Sequence, residues 1–463
     1  MKFGIENMNR IVPLNIIAGL FFLLQGCSSI MTNTEIYEPV VSNLKSGNIV
    51  TAVQQIERAE MKGEYSEKDR VLLFLDKGML YHYQGEYQKS NIEFDKAEDA
   101  IDDLYTKSVS KAAASFLLND NALDYSGEVY ENLYVNIFKA LNYIHLNKFD
   151  EAYVEINRVN DKLKELDLYF EDYISDLNSS KDSKVKIDAE KIDYYSNVLS
   201  HYLSYLIFRS EREYDNSRIS YEKLVETWDT YTDVYNYDKP YSLDTLNAKS
   251  GSYLNFIAFA GTAPIKKPVG ARITTFDDYV VVSDPTNFRM DGIPFPGIKS
   301  GWNFKFEFPV IYEEGTAVHG IEIYIDSISY GNMQLLENMA SVANKTFESR
   351  KSILYFKTLG RAVAKGVASS ALGREIKKEA NGFVGELLAF LTNVVVDATE
   401  NADLRSWRTM PSYSFISEVP INPGKYNIEI HFLGPDNQIL QKNIIENYTV
   451  GKGLNLIEAF HLN

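Results

Sequence analysis

At 463 residues, with 45% apolar and 13% aromatic side chains, the chain can form two or three domains and is too rich in Tyr and Phe to stay unfolded. The formal net charge is −17, and about −16 of it lies in residues 28–250, which argues against nucleic acid and against broad electrostatic docking on anionic lipid. The one cysteine, Cys27, leaves no intrachain disulfide, so packing alone must hold the fold.

The chain opens on a basic start (Lys2, Arg10) and an apolar run over residues 11–24. These read as the first two regions of a secretory signal. The run is shorter than the ~20 residues of a spanning helix. It ends in Leu24-Gln25-Gly26-Cys27, which resembles the lipobox of bacterial lipoproteins. The resemblance implies a diacylglyceryl group on the Cys27 thiol, cleavage after Gly26 and acylation of the new amino terminus. An ordinary signal with a chance cysteine and a retained anchor are the competing readings. Ser28 follows the cysteine where an Asp would signal retention. In a Gram-negative cell, that implies an outer-membrane lipoprotein facing the periplasm.

Residues 27–40 read as a lipidated polar leader, and residues 41–250 as a helical repeat region. The best unit has Phe74, Gly78 and Tyr81, a turn at Gly85-Glu86, then Tyr87, Phe94 and Ala97. Small Gly78 and Ala97 allow two helices to cross closely. Related patterns follow turns at Ser46-Gly47-Asn48 and Asn147-Lys148, and a weaker copy spans Tyr205 to Leu224. The turns recur after about 38, 62 and 65 residues, more than the 34 of a contiguous tetratricopeptide array, so extra segments intervene. One is residues 108–120; another is the polar run 178–184. Such a stack makes a concave face suited to a peptide or a partner helix.

Residues 251–463 read as an α+β domain. Residues 251–261 are expected to form a short buried helix. After Pro264 the period changes to alternation, with candidate strands at 271–283, 303–312 (Phe304, Phe306, Phe308 and Val310 on one face), 319–327, 413–419, 424–433, 438–449 and 453–461. The expected architecture is an antiparallel sandwich-like sheet. A helical insertion at 333–401 splits the strands. Residues 345–378 within it hold nine basic residues against Glu348 and Glu375. It reads as a hairpin covering the sheet or as a basic contact surface.

Several segments resemble a family of bacterial tetratricopeptide-type lipoproteins to which no activity is assigned. They are Asn119-Asp120 with residues 125–131, residues 139–143, residues 337–366, and Asp403-Leu404-Arg405-Ser406-Trp407-Arg408-Thr409-Met410-Pro411. The resemblance covers most of the chain after Cys27. It implies a cell-envelope setting and carries no catalytic residues over.

The six histidines make no His-Glu-x-x-His or other close metal pair, and those at 82, 145 and 201 fall in repeat helices as packing or solvated groups. Gly451-Lys452-Gly453 lacks the upstream glycine of a phosphate loop. Paired carboxylates such as Asp102-Asp103 and Glu171-Asp172 read as a solvated face. The densest polar and aromatic cluster is Asp403, Arg405, Trp407 and Arg408. It reads either as a ligand or glycan contact, with Trp407 stacking and the arginines forking onto carboxylates, or as an ion pair and packed indole joining helix to sheet.

The expectation is a non-enzymatic lipid-anchored scaffold or assembly factor. It needs no cofactor or metal and contacts the membrane through its lipid. It binds envelope proteins through its repeats and no nucleic acid. The alternative is a module that binds an envelope polymer such as peptidoglycan, or a regulator of cell-wall synthesis, acting through residues 251–463.

Overall fold

The computed structural model describes residues 32–110, 124–178, 194–241, 243, 252–349 (apart from 278, 284–289, 295–299 and 302) and 402–463. The fold is α+β. Among the described residues its N-terminal helices are α1 (Thr32–Lys45), α2 (Ile49–Met61), α3 (Arg70–Tyr83), α4 (Tyr87–Ser110), α5 (Val129–His145), α6 (Phe149–Asn178), α7 (Val198–Ser210) and α8 (Tyr214–Thr230). They pair in sequence as four hairpins.

The four hairpins share one turn. Its central residue is left-handed: Gly47 (φ 74°), Gly85 (φ 79°), Asn147 (φ 55°) and Arg212 (φ 66°). The next amide then reaches back over the helix end: Asn48 to the Asn43 carbonyl (2.8 Å), Glu86 to Tyr81 (2.9 Å), Lys148 to Tyr143 (2.8 Å) and Glu213 to Phe208 (2.8 Å). This is the Schellman closure, which satisfies carbonyls that a helix end leaves open. Glycine or Asn takes the left-handed position easily; Arg212 does so at a cost.

The hairpin interiors also repeat. Lys77 meets Glu93 at 3.1 Å and Lys139 meets Glu155 at 3.1 Å, at the same offsets from Gly85 and Asn147. Ser90 donates to the Gly78 carbonyl (2.6 Å), and Ser217 donates to the Tyr205 carbonyl (3.3 Å) at matching positions of the second and fourth hairpins. Gly78 lies against Phe94 as its size required: a Cβ there would sit 2.5 Å from the ring.

The helices begin earlier than the polar leader allows. Helix α1 starts at Thr32 and carries Pro39 in its interior. Proline removes a helical hydrogen bond, which is why the stretch reads as a leader. Burial of Tyr37, Val40 and Leu44 outweighs that loss.

The strands are β1 (Tyr253–Thr262), β2 (Ile265–Phe276), β3 (Tyr279–Ser283), β4 (Met290–Pro294), β5 (Asn303–Tyr312), β6 (Gly320–Ile325), β7 (Ile328–Asn332), β8 (Gln334–Asn338), β9 (Pro411–Pro420), β10 (Gly424–Leu433), β11 (Ile439–Val450) and β12 (Asn455–His461). Among the described residues they form three sheets, ordered β12-β1-β9-β8, β11-β10-β6-β7 and β4-β3-β2-β5. The first is mixed, since β1 runs parallel to β12 and antiparallel to β9.

Several expectations give way here. The expected helix over 251–261 is not found: strand β1 (Tyr253–Thr262) takes that stretch. Its apolar run is continuous because both faces are buried, so no alternation shows in the sequence. Leu254, Phe256, Ala258 and Ala260 enter one core, while Ile257 and Phe259 enter the other. The expected strand at 271–283 is two strands, β2 and β3. Strands β4, β7 and β8 lie where the sequence pattern predicts no strand. The insertion opens with β8, a helix covers 339–349, and residues 350–401, with most of its basic positions, lie outside the described residues.

The first sheet sits between two cores. One face packs on the helices, sharing a core from Tyr37 to Leu462. The other meets β6 and β10 through Ile321, Ile323, Ile428, Ile430 and Phe432.

Candidate functional site

The first helix of each hairpin reaches the sheet region through a polar bond. Lys45 on α1 pairs with Glu314 (2.9 Å), and His82 on α3 with Glu458 (2.7 Å). Tyr134 on α5 donates to Glu337 (2.7 Å), and Arg209 on α7 donates to Glu418 (2.8 Å). The first helices of the hairpins therefore face the chain's own strands and loops.

The strap over residues 402–410 runs along this seam and contains the predicted cluster. Arg405 forks onto Asp403 through Nε (2.9 Å) and Nη2 (2.7 Å), while its Nη1 reaches Asp69 (2.9 Å). Both arginine edges are thus engaged with carboxylates of the chain. Trp407 is 0% exposed and edge-on to Phe94 and Phe138. Its indole donates to Thr409 Oγ1 (2.9 Å), whose hydroxyl donates to Asp76 (2.8 Å). Arg408 lies over the Tyr37 ring at 5.5 Å. Arg405 and Trp407 bury against the helices, with Asp403 and Arg408 half-buried beside them, so Trp407 offers no face for a sugar. Gly26 and Cys27 lie outside the described residues.

Sequence reasoning missed the buried carboxylates. Glu131 on α5 accepts from the Tyr125 hydroxyl (2.7 Å), the Glu128 amide (2.9 Å) and the Trp407 amide (2.7 Å). Glu337 on β8 accepts from Tyr134, from Asn197 Nδ2 (2.8 Å) and from the Tyr235 hydroxyl (3.0 Å). Burial raises both carboxyls above their ordinary range, against the pull of those donors. Burial also lifts Asp76 to about 7. In so acidic a chain these residues look like any solvated acid. The only signal is their place inside apolar runs, as in Leu75-Asp76 or Leu336-Glu337.

Glu458 on β12 is held by two imidazoles, His82 Nε2 at 2.7 Å and His145 Nε2 at 2.6 Å. Burial disfavours its charge, but the two histidines prevail and its pKa is lowered. Burial likewise opposes charging His82, and Glu458 outweighs it, so that pKa is raised. His82 Nδ1 faces Asn142 (2.7 Å), and Tyr87 stacks on His145 at 4.4 Å. His201 bonds Ser196 (2.6 Å), and burial with nearby Lys223 lowers it to about 4. His82 and His145 thus tie helices to β12 through Glu458, and His201 is held within its own hairpin region. Asp102 and Asp103 are exposed, while the side chains of Glu171 and Asp172 lie outside the described residues.

A cleft of about 230 Å³ opens where the first hairpin turn meets β11 and β12, lined by Leu44, Ile49, Gln441, Lys442, Phe460 and His461 among others. Among the described residues, no group of three or more His, Cys, Asp or Glu is arranged to hold a metal, and no helix is long and apolar enough to cross a membrane. The chain matches no protein-family model, no curated protein and no solved structure.

Proposed function

We propose that this is a lipid-anchored bacterial envelope protein that acts as a protein-binding scaffold or assembly factor, built on tetratricopeptide-like hairpins. One observation carries the reading. Four hairpins with a common turn are stiffened along their first helices by the chain's own sheet, while the second helices, α2, α4, α6 and α8, keep exposed faces. A rigid surface of this kind suits protein contact, because little order is lost on binding. The lipobox supports the anchor. With α1 starting five residues after Cys27, extended chain would hold the array within roughly 20 Å of the bilayer.

The anchor is tested by Cys27→Ser. The variant should leave the membrane fraction or remain uncleaved; fractionation and processing like the wild type would remove the lipoprotein reading. The scaffold is tested by crosslinking in intact cells, with protein adducts on the outer helices expected.

A second reading is an envelope-polymer module with a sandwich-like sheet. It draws on the half-buried Tyr324 ring, 4.6 Å from the buried His431 ring and flanked by Glu322 and Glu429. Sedimentation with isolated cell wall, lost on Tyr324→Ala, would favour it.

A further inference from the structure

The chain holds 64 Asp and Glu against 47 Lys and Arg. Yet among the described residues that line the cleft between the first hairpin turn and strands β11 and β12 there is no acid, and two are lysines, Lys45 and Lys442. Its apolar lining comes from Leu44 and Ile49 on the hairpin and from Phe460 and Leu462 at the end of β12. At about 230 Å³ it is smaller than the ~300–1,000 Å³ of sites that enclose a drug-sized ligand, so it suits a group of about one residue.

The polar groups at the cleft can be assigned from their partners. Gln441 Nε2 lies 3.0 Å from the Phe460 carbonyl, which can only accept, so this atom is the amide nitrogen. It also donates to Asn443 Oδ1 (2.6 Å). Gln441 Oε1 is then an acceptor, and His461 Nδ1 donates to it (2.9 Å). Burial lowers the His461 pKa, which keeps the ring neutral at pH 7 and its Nε2 an acceptor. Asn443, with its Oδ1 taken, keeps Nδ2 as a donor. Lys45 is engaged by Glu314 (2.9 Å), whereas the exposed Lys442 ammonium stands 4.0 Å from Glu429, beyond hydrogen-bond reach. Glu429 itself bonds His431 (2.7 Å). The cleft thus combines an apolar seat with an acceptor, an amide donor and a loosely held cation.

We propose that this cleft binds the free carboxyl terminus of a partner polypeptide that ends in an apolar residue. The inference rests on the scaffold reading and names its partner class. The last side chain fills the apolar seat, the terminal carboxylate meets Lys442 and Asn443 Nδ2, and the last peptide N–H donates to His461 Nε2. Strand β11 is an edge of its sheet, so alternate backbone groups face outward and can pair with the residues that precede the terminus.

Full-length protein in detergent is titrated with a fluorescein-labelled peptide, Gly-Ser-Gly-Ser-Ala-Leu, and binding is read by anisotropy. The same peptide as its carboxamide and a peptide ending in Ser are the controls. The free acid ending in Leu should bind at least tenfold tighter than either. Lys442→Gln combined with Asn443→Asp should abolish that preference at unchanged circular dichroism, since Asp keeps the acceptor for Gln441 and sets a negative charge beside the carboxylate. Equal binding of the three peptides, or full preference in the variant, overturns the proposal. Displacement of the peptide by N-acetylleucine at equal concentration also overturns it, because the cleft would then be a small-molecule site. Crosslinking in intact cells separates this inference from the scaffold. Protein adducts on the outer helices without peptide selectivity sink the cleft alone; no adducts and no selectivity sink both.

Discussion

Glu458 lies 2.7 Å from His82, although the two are 376 residues apart, and the carboxylate binds His145 as well. This ion pair fastens the last strand to the second hairpin. Breaking one partner of a buried pair costs about 3–5 kcal/mol. Glu458→Gln should destabilise the protein by about that amount in urea unfolding. The loss should depend on pH. His82 is raised above its ordinary 6.5, so its share is full below that pH and fades as pH climbs through its native value. Glu458 is lowered from 4.5, so its share is full above that pH and is lost as pH falls through its native value. The difference between wild type and variant should peak between pH 4.5 and 6.5. A difference that is flat with pH would mean the contact is neutral.

Asp76 behaves in the opposite sense. Its carboxyl is raised from 3.8 to about 7 by burial. Between those values the folded chain keeps a proton that the unfolded chain has lost. Stability therefore falls as pH rises across that window, by at most about 1.4 kcal/mol per pH unit, and levels off above it. Asp76→Asn keeps an acceptor for Thr409 and should flatten this slope. Parallel curves for variant and wild type would show that Asp76 titrates normally.

Gly78→Ala tests the closest crossing in the second hairpin. In an open helix the change gains about 1 kcal/mol of helix propensity. Here the new methyl would lie 2.5 Å from the fully buried Phe94 ring, and overpacking costs about 1–3 kcal/mol. Net destabilisation is expected, with partial rescue by Phe94→Leu in a double-mutant cycle. A stabilised single variant would show that the ring yields freely.

Trp407→Phe removes the bond to Thr409 and leaves space beside Phe94 and Phe138. A stability loss of about 2–4 kcal/mol is expected, read as a lower denaturant midpoint at unchanged m-value. If Trp407 instead served a ligand, stability would hold and only binding would change.

The sequence by itself determined the hairpins. Gly47, Gly85 and Asn147 mark turns by local backbone preference, and small residues such as Gly78 mark close crossings, so neither needs knowledge of distant chain. The alternation after residue 424 likewise located β10 and β11. Tertiary structure decided the rest, because burial is a property of the partner and not of the residue. Strand β1 reads like a helix until two cores claim its alternate side chains. Asp76, Glu131, Glu337 and Glu458 look like surface acids until helix and sheet close over them. In the sequence Trp407 reads as a sugar platform or as a wedge that joins helix to sheet. The fold makes it a wedge, because the helices that flank it leave the indole no solvent face.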